Sequence, residues 1–250
     1  MSLVDRRIIV TGAASGIGRG AAAYLAALGA RVALLDRDAD GLARSVDAIP
    51  SSAPSAIADV TDDQAVDVAV QQLIDSLGGL DGVVNCAGVD LLRPFDETQS
   101  ADWQRVLAVN LFGPVNVCKA ALPALRHGNR PAIVNVASAA GLHPLPNRTA
   151  YCSSKAALVM FGKALAIDLA PDGIRVNSIC PGIVETPMLD ASILASPDPH
   201  NALSHITSRY LIPRAGKVDE IAAAIAFLLD DAAGYITGSS LAVDGGRSFH

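Results

Sequence analysis

Short apolar runs alternate with longer mixed runs along this chain. Arg7–Val10 is a β-branched segment that predicts a strand, and it leads into a glycine-rich turn, TGAASGIG, from Thr11 to Gly18. The Ala-rich run Arg19 to Leu28 predicts a helix, with Gly29 placed to stop it. Arg31–Leu35 predicts a second buried strand ending at Asp36. Asp40–Ile49 then predicts a helix, and Pro54–Ala58 a short strand ending at Asp59-Val60. Thr61–Leu77 predicts a helix, with Thr61 as N-cap, Gln64 at capping-box spacing and Gly78-Gly79 as the stop. Leu80–Asn85 predicts a strand running into Cys86-Ala87-Gly88. Ala101–Arg126 predicts one long helix, and Ala132–Ala137 a strand with Ser138 at its end. A helix from near Ala150 is followed by a strand, Arg175–Ile179, and by Pro181-Gly182. A polar, irregular stretch runs to about Pro213, and a helix, Val218–Leu229, and a last strand, Ser240–Val243, complete the pattern.

Strands alternating with helices predict an α/β fold: a Rossmann-like, doubly wound parallel sheet of about seven strands with helices on both faces. The 250 residues suffice for one such domain, 1–250, with a substrate lid at about 185–213. Ligands in such folds bind beyond the carboxyl ends of the strands. Gly12, Asp36, Asp59, Asn85, Ser138 and Pro181 all fall at such ends.

Composition narrows the function classes. Hydrophobic residues make up 51% of the chain, which argues against disorder, and a net charge of −6 argues against a nucleic-acid partner. Arg6 and Arg7 before an apolar segment mimic the start of a secretory signal, but Ile8-Ile9-Val10 is too short and runs straight into a turn. No apolar run reaches ~18 residues, so no membrane span is expected. Cys86, Cys118, Cys152 and Cys180 are scattered, without CxxC or zinc spacing. A reduced, cytoplasmic protein without a metal site is the expectation.

The first strand, turn, helix and second strand make a βαβ unit. Gly12 permits the tight turn, Gly16 lets backbone approach a pyrophosphate, and Gly18 lets the helix pack close to the strand. The helix N-terminus offers unpaired N–H groups to phosphates. Asp36 stands where an acid accepts bonds from ribose hydroxyls and repels a 2′-phosphate, which favours NAD over NADP; an N-cap role in the next helix is the alternative. Arg37 is of the type that serves a 2′-phosphate, whereas Ser15 is not basic, and the balance stays with NAD.

Tyr151 and Lys155 stand four residues apart, on one face of a helix. A phenol titrates near pH ~10, and a fixed ammonium beside it favours the phenolate. Such a pair can move a proton on or off an alcohol oxygen. The plain alternative is a contact along the helix face.

Together, TGAASGIG, Asp59-Val60, NCAG (Asn85–Gly88), Asn110, Ser138, YCSSK (Tyr151–Lys155), NSICPG (Asn177–Gly182), Thr186 and ITGSSLAVDGG resemble the classical short-chain dehydrogenase/reductase family over nearly the whole chain. Cys86 departs from the more usual NNAG. The resemblance implies Tyr151 as general acid/base, Lys155 as its pKa-lowering partner and ribose ligand, and Ser138 as the holder of the substrate oxygen. Asn110 is implied to hold a water linking Lys155 to solvent. Gly12, Ser15, Gly16, Ile17, Gly18, Asp36, Arg37, Asp59, Val60, Asn85, Ala87 and Gly88 are implied for the cofactor, with Pro181, Gly182, Val184 and Thr186 at the nicotinamide. Asn110 as a bend in the long helix and Thr186 as an N-cap are the bland alternatives. Enoyl reductases of the family separate Tyr and Lys by more residues, so the spacing here implies alcohol–ketone chemistry. A homotetramer built through the helices near Ala101 and Ala150 and the C-terminal strand is also implied. A non-catalytic nucleotide-sensing relative would be expected to lack one of Ser138, Tyr151, Lys155 or Asn110, and all four are present.

Glu185–Pro213, Val89–Phe95 and Gly141–Arg148 are expected to choose the substrate. Arg148, three residues before Tyr151, and Arg209, in the lid, are of the type that clamps anions with paired bonds. They point to a small anionic hydroxy compound. The alternatives are Arg148 paired with an acid, Arg209 facing water, and a neutral cyclic alcohol, sugar or steroid as substrate.

Overall fold

A computed structural model of the chain describes residues 2–50, 53–196 and 198–249. The apolar runs pair as β1 (Arg7–Thr11), β2 (Arg31–Asp36), β3 (Ser55–Ile57), β4 (Gly82–Asn85), β5 (Ala132–Val136), β6 (Arg175–Pro181) and β7 (Ser240–Val243). They form one sheet in the order β3-β2-β1-β4-β5-β6-β7, parallel throughout. The connecting helices are α1 (Gly16–Ala27), α2 (Ala39–Asp47), α3 (Asp63–Leu77), α4 (Ser100–Leu107), α5 (Gly113–Leu125), α6 (Thr149–Leu169), α7 (Pro187–Leu194), α8 (Pro199–Thr207) and α9 (Val218–Leu229). Every residue of β4 and β5 is buried, because helices cover both faces of the sheet.

Alternate side chains along each strand go to opposite cores. On one face Ile8, Val10, Leu34 and Val84 pack with Leu25 of α1 and Ile225 and Leu229 of α9. On the other, Ile9, Val83 and Ile133 pack with Leu73 of α3, Leu125 of α5 and Leu169 of α6. The chain winds outward from β1 to β3, then returns to set β4 on the other side of β1. That reversal opens a crevice at the carboxyl ends.

Three elements depart from the sequence expectations. The N-cap of α3 is Asp62, whose carboxylate accepts from the Ala65 N–H at 3.0 Å; Thr61 is instead held by Asp59, its hydroxyl donating at 2.8 Å. The long helix is broken by a π turn at Ala108–Phe112. Pro114 has no N–H to give the Asn110 carbonyl, so the helical ladder is interrupted there and the chain widens. The stretch expected to be irregular contains α7 and α8, each with a proline in its first turn. Ser100–Leu125 is long enough, and one 18-residue window of it apolar enough at a mean hydropathy of 1.4, to cross a membrane by length and composition. Its buried face packs on α3 and β4, as a core helix does.

The amino end of the sheet is closed by an ion pair. Asp81, 2% exposed, accepts from the Arg7 backbone N–H at 2.9 Å, from its Nε at 2.8 Å and from its Nη2 at 2.6 Å, and also from the Asn129 N–H at 2.7 Å. Burial alone raises the Asp81 carboxyl; the donors from Arg7 and Asn129 outweigh it and hold the group below the usual carboxylate range. Such a group stabilises the fold above the unfolded pKa, and that stability is lost as pH falls through the folded one. Asp81→Ala is expected to lower the unfolding free energy by about 3–5 kcal/mol at neutral pH. In urea titrations the gap from wild type should narrow below pH ~4.

Candidate active site

The glycine-rich turn between β1 and α1 lies against the start of the segment after β4. Gly12 has a φ of +65°, and a Cβ there would lie 2.7 Å from the Ala87 nitrogen. A Cβ on Gly18 would lie 2.1 Å from the Gly12 carbonyl oxygen. Side chains are therefore excluded at these two positions. Ser15, at the N-cap of α1, makes no side-chain cap, so the first N–H groups of the helix face the crevice. This is a cradle for phosphates.

One cavity extends from that cradle, and most of the cofactor residues expected from sequence line it: Gly12, Ser15, Gly16, Ile17, Gly18, Asp36, Arg37, Asp59, Val60, Ala87, Gly88, Tyr151, Lys155 and Thr186. Asp36 accepts from the Ala14 N–H at 2.9 Å and the Asp38 N–H at 3.0 Å. The N-cap of α2 is Asp38, not Asp36. Arg37 does not stand free to meet a phosphate: its Nη1 lies 3.1 Å from the Asp59 carboxylate. Partial desolvation raises the Asp59 carboxyl, but donors from Thr61 and Arg37 hold it below its ordinary range. The glycine turn, the acid that ends β2 and the slot between them together fit a dinucleotide.

Asn85 is not on the cleft wall. It is buried, and its Nδ2 donates to the Asn135 Oδ1 at 2.9 Å across the β4–β5 register. Asn110, in the π turn, is also fully buried. Its Oδ1 accepts from the Val89 N–H at 2.8 Å, while Nδ2 donates to the Val89 carbonyl at 2.9 Å and to the Ser154 Oγ at 3.0 Å. The Ser154 hydroxyl in turn donates to the Tyr151 carbonyl at 2.7 Å. The Asn110 amide thus fixes α6 relative to the segment after β4. Thr186 occupies the N-cap position of α7 but caps nothing; its hydroxyl donates to the Val184 carbonyl at 3.1 Å.

Pro181, Gly182 and Val184 line a second cavity with Ser138, Arg148 and Arg209. Ile17, Ala137, Tyr151, Thr186 and Met188 border both cavities. Ser138 lies two residues past β5 and opens a tight turn, its Oγ accepting from the Ala140 N–H at 3.1 Å. Gly141 in that turn touches α6: a Cβ there would lie 2.8 Å from the Lys155 backbone. The turn can therefore bring Ser138 to Tyr151. Lys155, 4% exposed, donates from Nζ to the Val136 carbonyl at 3.0 Å, and Nζ lies 6.0 Å from the centre of the Tyr151 ring.

The electrostatics differ from the sequence expectation for this pair. Burial pushes the Tyr151 phenol up to about 12, opposed by its contact with Ser138 and by Arg148, and supported by Asp90. Burial also brings the Lys155 ammonium down to about 8. Desolvation favours the neutral form of each group and is the largest influence on both.

Arg148 is paired. Its Nε lies 3.0 Å from the Asp90 carboxylate, and its Nη2 donates to the Ser192 hydroxyl at 2.6 Å. Arg209 is exposed at the cavity mouth. Arg247, which follows β7, also lines this cavity and was not anticipated. The DGG turn before it carries the chain back over the strand ends, and that was the available sign.

A family model described as Enoyl-(Acyl carrier protein) reductase matches residues 12–248. An uncharacterized oxidoreductase of Thermotoga maritima is 39% identical over 99% of both chains. The 2-(S)-hydroxypropyl-CoM dehydrogenase 3 of Xanthobacter autotrophicus is 36% identical over 98% of both. Among solved structures, an NAD+-bound xylitol dehydrogenase superposes with a TM-score of 0.93 at 32% identity, covering 98% of this chain and 100% of the other. The chain belongs to the short-chain dehydrogenase/reductase family. It is an oxidoreductase, and its family works with a nicotinamide cofactor.

Between the folded Lys155 value of about 8 and the ordinary 10.5, the unfolded chain holds a proton that the folded chain has released. Stability from this group is thus complete above 10.5 and is lost as pH falls through 8. Lys155→Met removes the effect. Unfolding titrations of the cofactor-free protein should show wild type gaining on the variant as pH rises from 8, by at most roughly 1.4 kcal/mol per pH unit.

Proposed function

We propose that this chain interconverts a secondary alcohol and its ketone with NAD as cofactor. The observation that carries the reading is the position of Tyr151 on the border between the two cavities. As phenolate its oxygen takes the substrate's hydroxyl proton in oxidation, and as phenol it gives a proton to the ketone oxygen in reduction. Ser138 holds the substrate oxygen beside it. Lys155 places a positive charge near the phenol and reaches towards the nicotinamide ribose. Bound NAD supplies the acceptor for the hydride that leaves carbon. Asn110 acts as a positioning residue, through Val89 and Ser154.

The turn from Gly12 to Gly18 holds the pyrophosphate, Asp36 the adenosine ribose, and Asp59 and Val60 the adenine. Ala87 and Gly88 flank the cleft, and Pro181, Gly182, Val184 and Thr186 serve the nicotinamide end. NAD is favoured over NADP because Asp36 faces the slot and Arg37 is engaged by Asp59. The segment 185–213, with α7 and α8, forms a lid over the second cavity of the single domain.

The arginines lining the second cavity support a small anionic hydroxy compound as substrate. Its apolar wall of Leu145, Leu189 and Ile206 supports the competing reading, a neutral cyclic alcohol. Four free thiols favour a reducing, cytoplasmic setting. Met160 and Ile167, exposed on α6, favour a homotetramer packed through that helix.

Absorbance of reduced nicotinamide, read across a panel of anionic and neutral alcohols with NAD and NADP, tests the reading. Tyr151→Phe is expected to lose about 10²- to 10⁴-fold in turnover while still binding NAD; retained turnover refutes its role. Asp36→Ala should lower the NAD-to-NADP preference by at least roughly tenfold, through a loss on the NAD side. An unchanged ratio removes Asp36 from cofactor choice.

A further inference from the structure

We propose that Arg247 is the residue that binds the acidic group of the substrate, and that this group is a carboxylate or sulfonate on a short hydroxyalkyl chain. The inference rests on the alcohol–ketone reading of the same site. Arg247 is 8% exposed and lines the second cavity. Among the described residues its guanidinium makes no hydrogen bond and no ion pair. Arg6 shows what equal burial ordinarily demands. At 7% exposure it donates to the Arg130 carbonyl at 2.9 Å and to the Asp81 carbonyl at 3.4 Å, and its Nη1 lies 3.7 Å from the Asp231 carboxylate. The Arg247 guanidinium opens on the cavity, so a bound anion supplies the partners that the chain does not.

The acid three residues before Arg247, Asp244, is engaged by the turn itself. Asp244 accepts from the Gly246 N–H at 2.9 Å and the Ser248 N–H at 2.8 Å, which caps the turn that delivers Arg247 to the cavity. The other carboxylate on the wall, Asp90, is taken by Arg148. In a chain of net charge −6, the cavity thus holds the arginines 148, 209 and 247 against one acid. Arg148 and Asp90 cancel, which leaves Arg247 inside and Arg209 at the mouth. A planar guanidinium binds an oxyanion with paired N–H bonds.

The test compares kcat and KM for matched pairs that differ only in charge: β-hydroxybutyrate with its methyl ester, and hydroxypropanesulfonate with the corresponding methyl sulfone. Wild type is expected to prefer the anion in at least one pair. In Arg247→Gln the anion-to-neutral ratio of kcat/KM should fall by about 10- to 100-fold, chiefly through KM. Arg247→Met, whose flexible thioether refills the space of the stem, carries the same expectation should the Gln variant not fold. An unchanged ratio in the folded variant overturns the assignment to Arg247 while leaving an anionic substrate intact. A wild-type preference for the neutral member of every pair overturns the anionic reading itself. No oxidation of any secondary alcohol would sink the underlying function.

Discussion

The site hangs from the seam where β1 and β4 meet. The Thr11 hydroxyl oxygen accepts from the Cys86 N–H at 3.1 Å and the Ala87 N–H at 3.2 Å, tying the two strand ends together. The sheet order reverses on either side of this seam, so the connecting helices part and a crevice opens above it. Gly12 and Ala87 approach too closely for a side chain, which leaves backbone donors to face the crevice. The seam also reaches the proton-transfer helix. Val89 follows directly on Gly88, Asn110 grips Val89, Asn110 holds Ser154, and Ser154 holds the Tyr151 carbonyl. An unbroken run of hydrogen bonds thus joins the segment after the seam to the backbone of Tyr151.

The two ends of the sheet treat buried charge in opposite ways. At the amino end, Asp81 is surrounded by donors and kept ionised. At the carboxyl end, burial works against the charged forms of both Tyr151 and Lys155. Groups whose charge is satisfied contribute to stability but resist exchanging protons. Groups whose charge is disfavoured give up stability, and a small change of surroundings tips them. A lysine near 8 is such a group, and its place beside the phenol is where proton transfer is needed.

Much of the fold and of the cofactor cleft was legible because both are written in local patterns. Strands buried on both faces appear as unbroken apolar runs, and turn positions that admit no Cβ appear as glycines. The misreadings fall where two local solutions compete or where the answer is long-range. Thr61 and Asp62 are both good caps, and Asp59 decided between them by engaging the Thr61 hydroxyl. Pro114 carried the sign of the broken helix, but whether a proline opens a π turn or only starts a new helix depends on packing. Asn85 occupies a motif that reads as cleft-lining, yet strand pleating turns it inward to Asn135.

The arginines show why side-chain partners outweigh position in the chain. Arg148 is near Tyr151 in sequence and was a natural choice for recognising the substrate, but Asp90, from the segment after β4, neutralises it. Their pairing brings Val89–Phe95 and the mouth of α6 together as one wall, a scaffolding role for a residue that sequence marks as a ligand. Arg247 is remote from every motif except the closing DGG turn, and that turn consumes the local acid as its own cap. The same hydrogen bonds that stabilise the turn thus leave the cation it carries without a counter-charge. No count of charges along the chain reveals that separation. It exists only once β7 has placed the turn over the cavity, where the available acids are already bound to other donors.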